Sequence, residues 1–188
     1  MKIINLTKRF DDKTVFNNYS LELNDGAVTY IMGSSGIGKT TLLRIISGLD
    51  KDFSGTVEYN GSLAYVFQEP RLFPTLNVLQ NITVVNDNSK FDPRELLKLV
   101  ELEDTESMMP NELSGGMKMR LSIARAIYSD ADIILMDEPF ASLDEDMKER
   151  IAPKIFELLK GKTIIVISHQ LNDAEKYADN IVKIEKTD

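Results

Sequence analysis

From Gly33 to Thr40 the chain reads Gly-Ser-Ser-Gly-Ile-Gly-Lys-Thr, followed by Thr41. This fits the spacing G-x-x-x-x-G-K-[ST], which suits a polyphosphate. Glycines let the backbone curl until successive N–H groups point at phosphate oxygens. A helix opening at the end of the loop adds free N–H groups and the positive end of its dipole. Lys39 would reach the β- and γ-phosphates, and the Thr40 hydroxyl would coordinate Mg²⁺. Gly33, Ser34, Ser35, Gly36, Gly38, Lys39, Thr40 and Thr41 are therefore the expected nucleotide contacts. A plain Gly/Ser turn is the competing account, but the motif has its required strand before it and helix after it.

A second constellation lies at Ile133-Ile134-Leu135-Met136-Asp137-Glu138, two carboxylates just beyond an apolar strand. In parallel sheets, ligands bind at the carboxyl ends of strands. Asp137 would hold Mg²⁺ through a water, and Glu138 would take a proton from an attacking water. Without the phosphate loop this pair would read as a solvated turn before Pro139. Between the two lies Leu113-Ser114-Gly115-Gly116-Met117, a serine-glycine turn that caps a helix. It is a candidate second anion site, with a hydroxyl and free N–H groups at a helix start.

These groups need elements to hold them. Strands are expected at Ile3–Leu6, Val28–Met32, Thr56–Tyr59, Leu63–Phe67, Ile133–Met136 and Thr163–Ile167. Three of them, Val28–Met32, Ile133–Met136 and Thr163–Ile167, are apolar almost throughout, as strands covered on both faces are. Helices are expected over Lys39–Ser47, from Asp92-Pro93 through Leu102, from Ser114, and over Asp144–Leu159, with Pro153 kinking or splitting the last. Strands alternating with helices predict an α/β fold. Asn86–Lys90 and Asp104–Pro110 read as surface loops.

Composition narrows the class. The chain has 188 residues, 22 Lys plus Arg against 30 Asp plus Glu, a net charge of −8 and no Cys. One domain is expected from this length. The charge argues against general affinity for nucleic acid or anionic lipid. Thiolate catalysis and Cys-bound metals are excluded. Met108, Met109, Met117 and Met119 are better read as packing residues than as a soft-metal site. The apolar runs are strand-length, far short of the ~20 residues of a membrane-spanning helix.

The motifs and their order resemble the ATP-binding cassette (ABC) family. Gly33–Thr40 matches its Walker A and Ile133–Glu138 its Walker B, while Leu113–Gly116 is similar to its signature motif. Ala141-Ser142-Leu143-Asp144 resembles the D-loop. Gln68 and His169 stand after their strands as the family's Q-loop glutamine and switch histidine do, and Phe10 stands where an aromatic stacks on adenine. Met117 replaces the usual Gln, the stretch at Gly61-Ser62 lacks a segment many members carry, and Glu69–Glu112 is compact.

The resemblance implies an α/β P-loop NTPase with a mostly parallel sheet flanked by helices, an N-terminal antiparallel β element and a compact helical subdomain. Residues 1–188 would form a single ATPase domain, with 1–68 and 113–188 as nucleotide-binding core and 69–112 as helical subdomain. It implies ATP and Mg²⁺ as cofactors. Glu138, His169, Gln68 and Lys39 would be catalytic; Thr40, Gln68 and Asp137 would serve the metal. Two cassettes, expected to be a homodimer, would pair head to tail. Phe10, Gly33–Thr41, Gln68, Asp137, Glu138 and His169 of one copy would face Ser114, Gly115 and Gly116 of the other, with Asp144 linking the sites.

Val66–Pro74 is similar to the Q-loop region of importer ATPases for nitrate, sulfonate and taurine. This implies a cassette held on the inner face of the cell membrane by a transmembrane permease, together with a solute-binding protein. Phe73, Leu76 and Met109 are candidates for the permease-facing surface. The rivals are a soluble ABC-type ATPase, such as one in a cofactor-assembly complex, and a P-loop kinase of small molecules. The signature-like Leu113–Gly116 argues against the kinase.

Overall fold

The computed structural model describes residues 1–11 and 13–185. Two sheets organise the chain. The first is antiparallel, in the order β2-β1-β4, built from β1 (Lys2–Phe10), β2 (Lys13–Glu22) and β4 (Ser54–Glu58). The second has the order β5-β6-β7-β3-β8, with β3 (Val28–Met32), β5 (Leu63–Val66), β6 (Ile133–Asp137), β7 (Thr163–Ile167) and β8 (Asn180–Lys183). Every pairing in it is parallel. The helices are α1 (Lys39–Ile46), α2 (Val78–Thr83), α3 (Pro93–Leu99), α4 (Gly115–Tyr128), α5 (Glu145–Leu158) and α6 (Leu171–Tyr177).

Side chains of a strand alternate between faces, and this alternation makes two cores. Tyr30, Met32, Val66, Ile134, Met136, Ile164 and Val166 pack on one face with α4 and α5. Ile31, Ile133, Leu135, Ile165 and Ile167 pack on the other with α1 and the antiparallel sheet. Both faces of β6 and β7 are covered, and all ten of their residues are buried. This is why these strands read as unbroken apolar runs.

The expected α/β architecture is present, with differences in detail. Strand β1 runs well past Leu6, and strands β2 and β8 and helices α2 and α6 were not expected. In β2 most residues are exposed and Phe16 is the fully buried anchor, so the apolar alternation is faint. Asn5 and Asn18 have φ near +50° where the β1–β2 register shifts; Asn tolerates that conformation better than most residues. Leu63–Phe67 ends as a strand at Val66, and Ile133–Met136 extends to Asp137.

Pro153 does not split the helix expected over Asp144–Leu159: α5 is one element. Pro153 faces outward, where the carbonyl of Glu149 that loses its partner can be solvated. Ile151, Ala152 and Ile155 are buried on the opposite side and hold the axis.

Residues following β5 are pinned by Asn81, which is fully buried. Its Nδ2 donates to the carbonyls of Phe73, Leu76 and Asn77, and its Oδ1 accepts from the Phe73 N–H at 2.8 Å. Asn77 and Gln80 form a capping box at the start of α2. Among the described residues, no helix is long and apolar enough to cross a membrane.

Candidate functional site

Four neighbouring strands, β5, β6, β7 and β3, deliver their carboxyl ends to one place. Beyond them lie Gln68, Asp137-Glu138, His169 and the loop from Gly33. These converge on a cavity of about 280 Å³, also lined by Phe10, Lys13, Val15, Ser35, Gly36, Gly38, Lys39, Thr40 and Thr41. The carboxyl edge of a parallel sheet is where such crevices form.

The loop's shape demands glycine at its ends. Gly38 caps α1 with φ +114°, and a Cβ there would collide with Val15 of β2. A Cβ on Gly33 would stand 2.7 Å from the carbonyl oxygen of Ile184. Lys39, the first residue of α1, folds back over this loop. Its Nζ donates to the carbonyls of Gly33 at 2.8 Å and Ser34 at 3.1 Å, and lies 3.4 Å from His169 Nε2. Burial pushes the Lys39 ammonium below the ordinary lysine range, while Glu138 and Asp137 act the other way.

Asp137 closes β6 and is 2% exposed. Burial raises its pKa, opposed by hydrogen bonds from the hydroxyls of Thr40 and Tyr65 and by the charges of Lys39 and His169. The Tyr65 contact to Oδ2 is long, at 3.5 Å. Oδ1 is buried without a hydrogen-bond partner. Such an atom is costly to leave bare, and Thr40 and Gln68 line the same cavity as Asp137. These are hard oxygen donors of the kind Mg²⁺ takes. Among the described residues no three His, Asp or Glu side chains converge on a metal site, so a cation here would take further ligands from phosphate and water.

Glu138 has φ +51°, uncommon for a residue with a Cβ and a mark of functional sites. Its N–H is held by the Ile167 carbonyl at 3.0 Å. The carboxylate is 11% exposed and its Oε1 stands 3.2 Å from His169 Nε2, off the line of a hydrogen bond. Burial raises its pKa; His169 and Lys39 lower it and Asp137 raises it further. A raised carboxylate next to a histidine is suited to proton traffic.

Phe10, at the end of β1, leaves 48% of its surface open. Lys8 Nζ sits 4.6 Å from the ring centroid, itself fixed by Asp50 at 3.0 Å. Lys13, Val15 and Tyr65 also belong to the site and were not anticipated. The alternation Lys13-Thr14-Val15-Phe16 was the available signal for the first two; nothing local marks Tyr65.

Ser114, Gly115, Gly116 and Asp144 are elsewhere. Ser114 caps α4 by accepting from the Met117 N–H at 3.3 Å, and Asp144 caps α5 by accepting from the Met147 N–H at 2.8 Å. The two starts touch: a Cβ on Gly116 would meet the Ser142 carbonyl oxygen at 3.3 Å. Ser114, Gly115 and Asp144 are exposed, and none of the four lines the cavity.

The sequence model of the ABC transporter family matches residues 16–141. The aliphatic sulfonates import ATP-binding protein SsuB 2 of Pseudomonas syringae pv. tomato is 38% identical over 181 residues, covering 93% of this chain and 78% of that protein. The aliphatic sulfonates import ATP-binding protein SsuB of Bacillus subtilis is 38% identical over 189 residues, covering 92% and 73%. Among solved structures, an ATP-binding cassette in a dimeric post-hydrolysis state with ADP and Pi superposes with a TM-score of 0.83 at 30% identity, covering 98% of this chain and 94% of that one.

Proposed function

Because this chain belongs to the ABC transporter family, we propose that it is the ATP-binding and ATP-hydrolysing subunit of an importer. It would energise uptake of a small solute, with sulfonates the leading class, through a separate permease. The observation that carries the reading is the convergence of Lys39, Thr40, Gln68, Asp137, Glu138 and His169 on one cavity beside a glycine loop. The names of the sulfonate-import relatives support the direction and solute class.

Each residue has a task that its surroundings suit. The loop N–H groups from Gly33 to Thr41 and the start of α1 bind the phosphates, and Lys39 exchanges its carbonyl partners for β- and γ-phosphate oxygens. Phe10 offers its open face to the adenine. Thr40, Asp137 and Gln68 would hold Mg²⁺, which when bound supplies charge neutralisation at the β- and γ-phosphates. Glu138 accepts a proton from the water that attacks the γ-phosphorus, and Gln68 orients that water. His169 donates a hydrogen bond toward the γ-phosphate oxygens. Positioning and charge are most of what phosphoryl transfer asks of a protein.

The exposed starts of α4 and α5 complete the site from a second copy. Ser114, Gly115 and Gly116 close over the γ-phosphate and Asp144 joins the two sites, so ATP holds the dimer and hydrolysis releases it. The solved dimer with ADP and Pi supports this. Residues 69–112, with Phe73, Leu76 and Met109, form the helical part that docks on the permease and holds the cassette to the inner membrane face. A solute-binding protein would deliver the solute on the other side.

The test has two arms. Purified protein supplied with ATP and Mg²⁺ alone is expected to release inorganic phosphate; ADP formation that requires a small-molecule acceptor, with the phosphoryl group found on that acceptor, would overturn the ATPase reading. Cells lacking the protein are expected to lose uptake of labelled alkanesulfonate, and uptake at the parental rate would overturn the solute class.

A further inference from the structure

The His169 imidazole is half exposed, and its near polar neighbours are Glu138 and Lys39. Little around the ring itself holds it. Its backbone, in contrast, leads directly into a buried ionic cluster. Lys148 of α5 is 3% exposed, and its ammonium has three donors. It pairs with Asp173 Oδ1 at 2.7 Å and Glu145 Oε2 at 2.8 Å, and donates to Gln170 Oε1 at 2.5 Å. Asp173 is 4% exposed.

The partners come from three places. Glu145 is the first residue of α5, next to its cap Asp144. Asp173 is in the first turn of α6. Gln170 is the residue that follows His169 and occupies the cap position of α6, yet its side chain caps nothing there. It reaches Lys148 instead, while its N–H donates to Ser168 Oγ at 3.0 Å. The residue after His169 is thus tied to α5, and a short turn from Ser168 to Gln170 encloses His169.

Burying an ammonium and a carboxylate is a weak route to stability, because desolvation offsets most of the attraction. Helices α5 and α6 would be stapled as well by apolar contact, and Phe156 of α5 already stacks on Tyr177 of α6 with centroids 5.1 Å apart. What an apolar staple cannot do is fix the one residue beside His169 in a set orientation.

We propose that Lys148 is a positioning residue for hydrolysis: through Gln170 it fixes the backbone that aims His169, and through Glu145 it ties that backbone to the exposed start of α5. The inference rests on the role assigned to His169 above. Lys148 touches no reacting atom and acts through its neighbour.

The decisive variant is Gln170→Leu, which removes the link to the histidine segment and leaves the Lys148–Asp173 pair in place. It is expected to lower kcat for ATP roughly tenfold, the scale of a small misplacement, with KM and Tm near those of the parent. Combined with His169→Ala, it is expected to lower the residual rate no further, since residues acting through one group are not additive. Lys148→Met is expected to fall at least as far, and Lys148→Arg to recover part of the loss.

Parental kcat in Gln170→Leu overturns the proposal. So does an equal further loss on top of His169→Ala, which would mean that Gln170 acts elsewhere. If His169→Ala alone keeps the parental kcat, the role of His169 itself is wrong, a failure distinct from that of the clamp.

Discussion

Two helices begin at glycine-bearing turns with free N–H groups, α1 after Gly38 and α4 after Ser114, and they are built in opposite ways. The start of α1 is walled in: Val15 of β2 stands behind Gly38, the Ile184 carbonyl behind Gly33, and the acids of β6 in front. The start of α4 is open, and nothing lies within 4 Å of a Cβ placed on Gly115. The first carries its countercharge, Lys39, inside its own site. Beside the second stand the Ser142 carbonyl and the Leu143 side chain, next to Gly116. A phosphate bound at α1 would be gripped by one copy of the chain; one bound at α4 would need a wall from another. Under the proposed function, the same local chemistry would serve as a half-site in one place and as a lid in the other.

The comparison is most sharply tested at Glu138, which belongs to the walled site. Glu138→Gln is expected to cut ATP turnover by about 10²–10⁴-fold, the range for removal of a general base, while ATP binding by calorimetry is retained and ATP-dependent dimer accumulates in size-exclusion chromatography. Near-parental turnover would remove Glu138 as the base. Next, Lys39→Ala deletes charge-assisted contacts worth about 1.5–3 kcal/mol each. The expected loss in ATP affinity is roughly 10–100-fold, and an unchanged Kd would break the claim that the α1 start is the primary grip.

Ser114→Ala asks the opposite question. Stability should fall by ~1 kcal/mol through the lost cap. Turnover should fall roughly tenfold for one lost hydrogen bond to phosphate, with ATP affinity of the single copy unchanged. Weakened ATP binding in the single copy would place both starts in one site and dissolve the contrast.

The smallest effect concerns pH and stability. Burial raises the pKa values of Asp137 and Glu138. Above both their unfolded and folded pKa values the native state therefore carries carboxylates it would rather protonate, so these groups reduce stability at neutral pH and the penalty fades as pH falls through the folded values into the carboxylate range. Asp137→Asn and Glu138→Gln should each raise Tm at pH 7 by a few degrees, taking ~2–4 °C per kcal/mol for a domain of this size, with the gain shrinking toward pH 4. A gain independent of pH would assign it to packing instead. A gain of this kind is expected where a site holds charge for function.

Much of this site was legible because its residues are contiguous. The loop Gly33–Thr41, the pair Asp137-Glu138 and the cap Ser114 each carry their chemistry in a few adjacent letters. The strands β6 and β7 were legible because both faces are covered, leaving unbroken apolar runs. The β1–β2 hairpin was read only in part, since its outward face is polar and its bulges at Asn5 and Asn18 shift the alternation. With β2 unread, Lys13 and Val15 went unread too. Helix α2 had a readable signal in the Asn77–Gln80 capping box; at six residues its periodicity was too short to weigh. Pro153 was read by its local effect, whereas its outward position beside a buried face decided the outcome.

By itself the sequence picked out the candidate groups: a glycine loop with Lys39 and Thr40, two acids past an apolar strand, a glutamine, a histidine and a second capped turn. It determined that the fold is α/β, because backbone period and burial are written in local pattern. Only the tertiary structure decided which of these groups meet. The parallel order of β5, β6, β7 and β3 brings Gln68, Glu138, His169 and Lys39 to one edge and leaves Ser114 and Asp144 outside it. It also decided that Lys148, silent in the sequence, stands beside the histidine segment, paired with Glu145 and Asp173 and donating to Gln170. Distances between elements far apart in the chain are set by how the sheet orders its strands and how the helices pack across it, and no short stretch of sequence encodes that order.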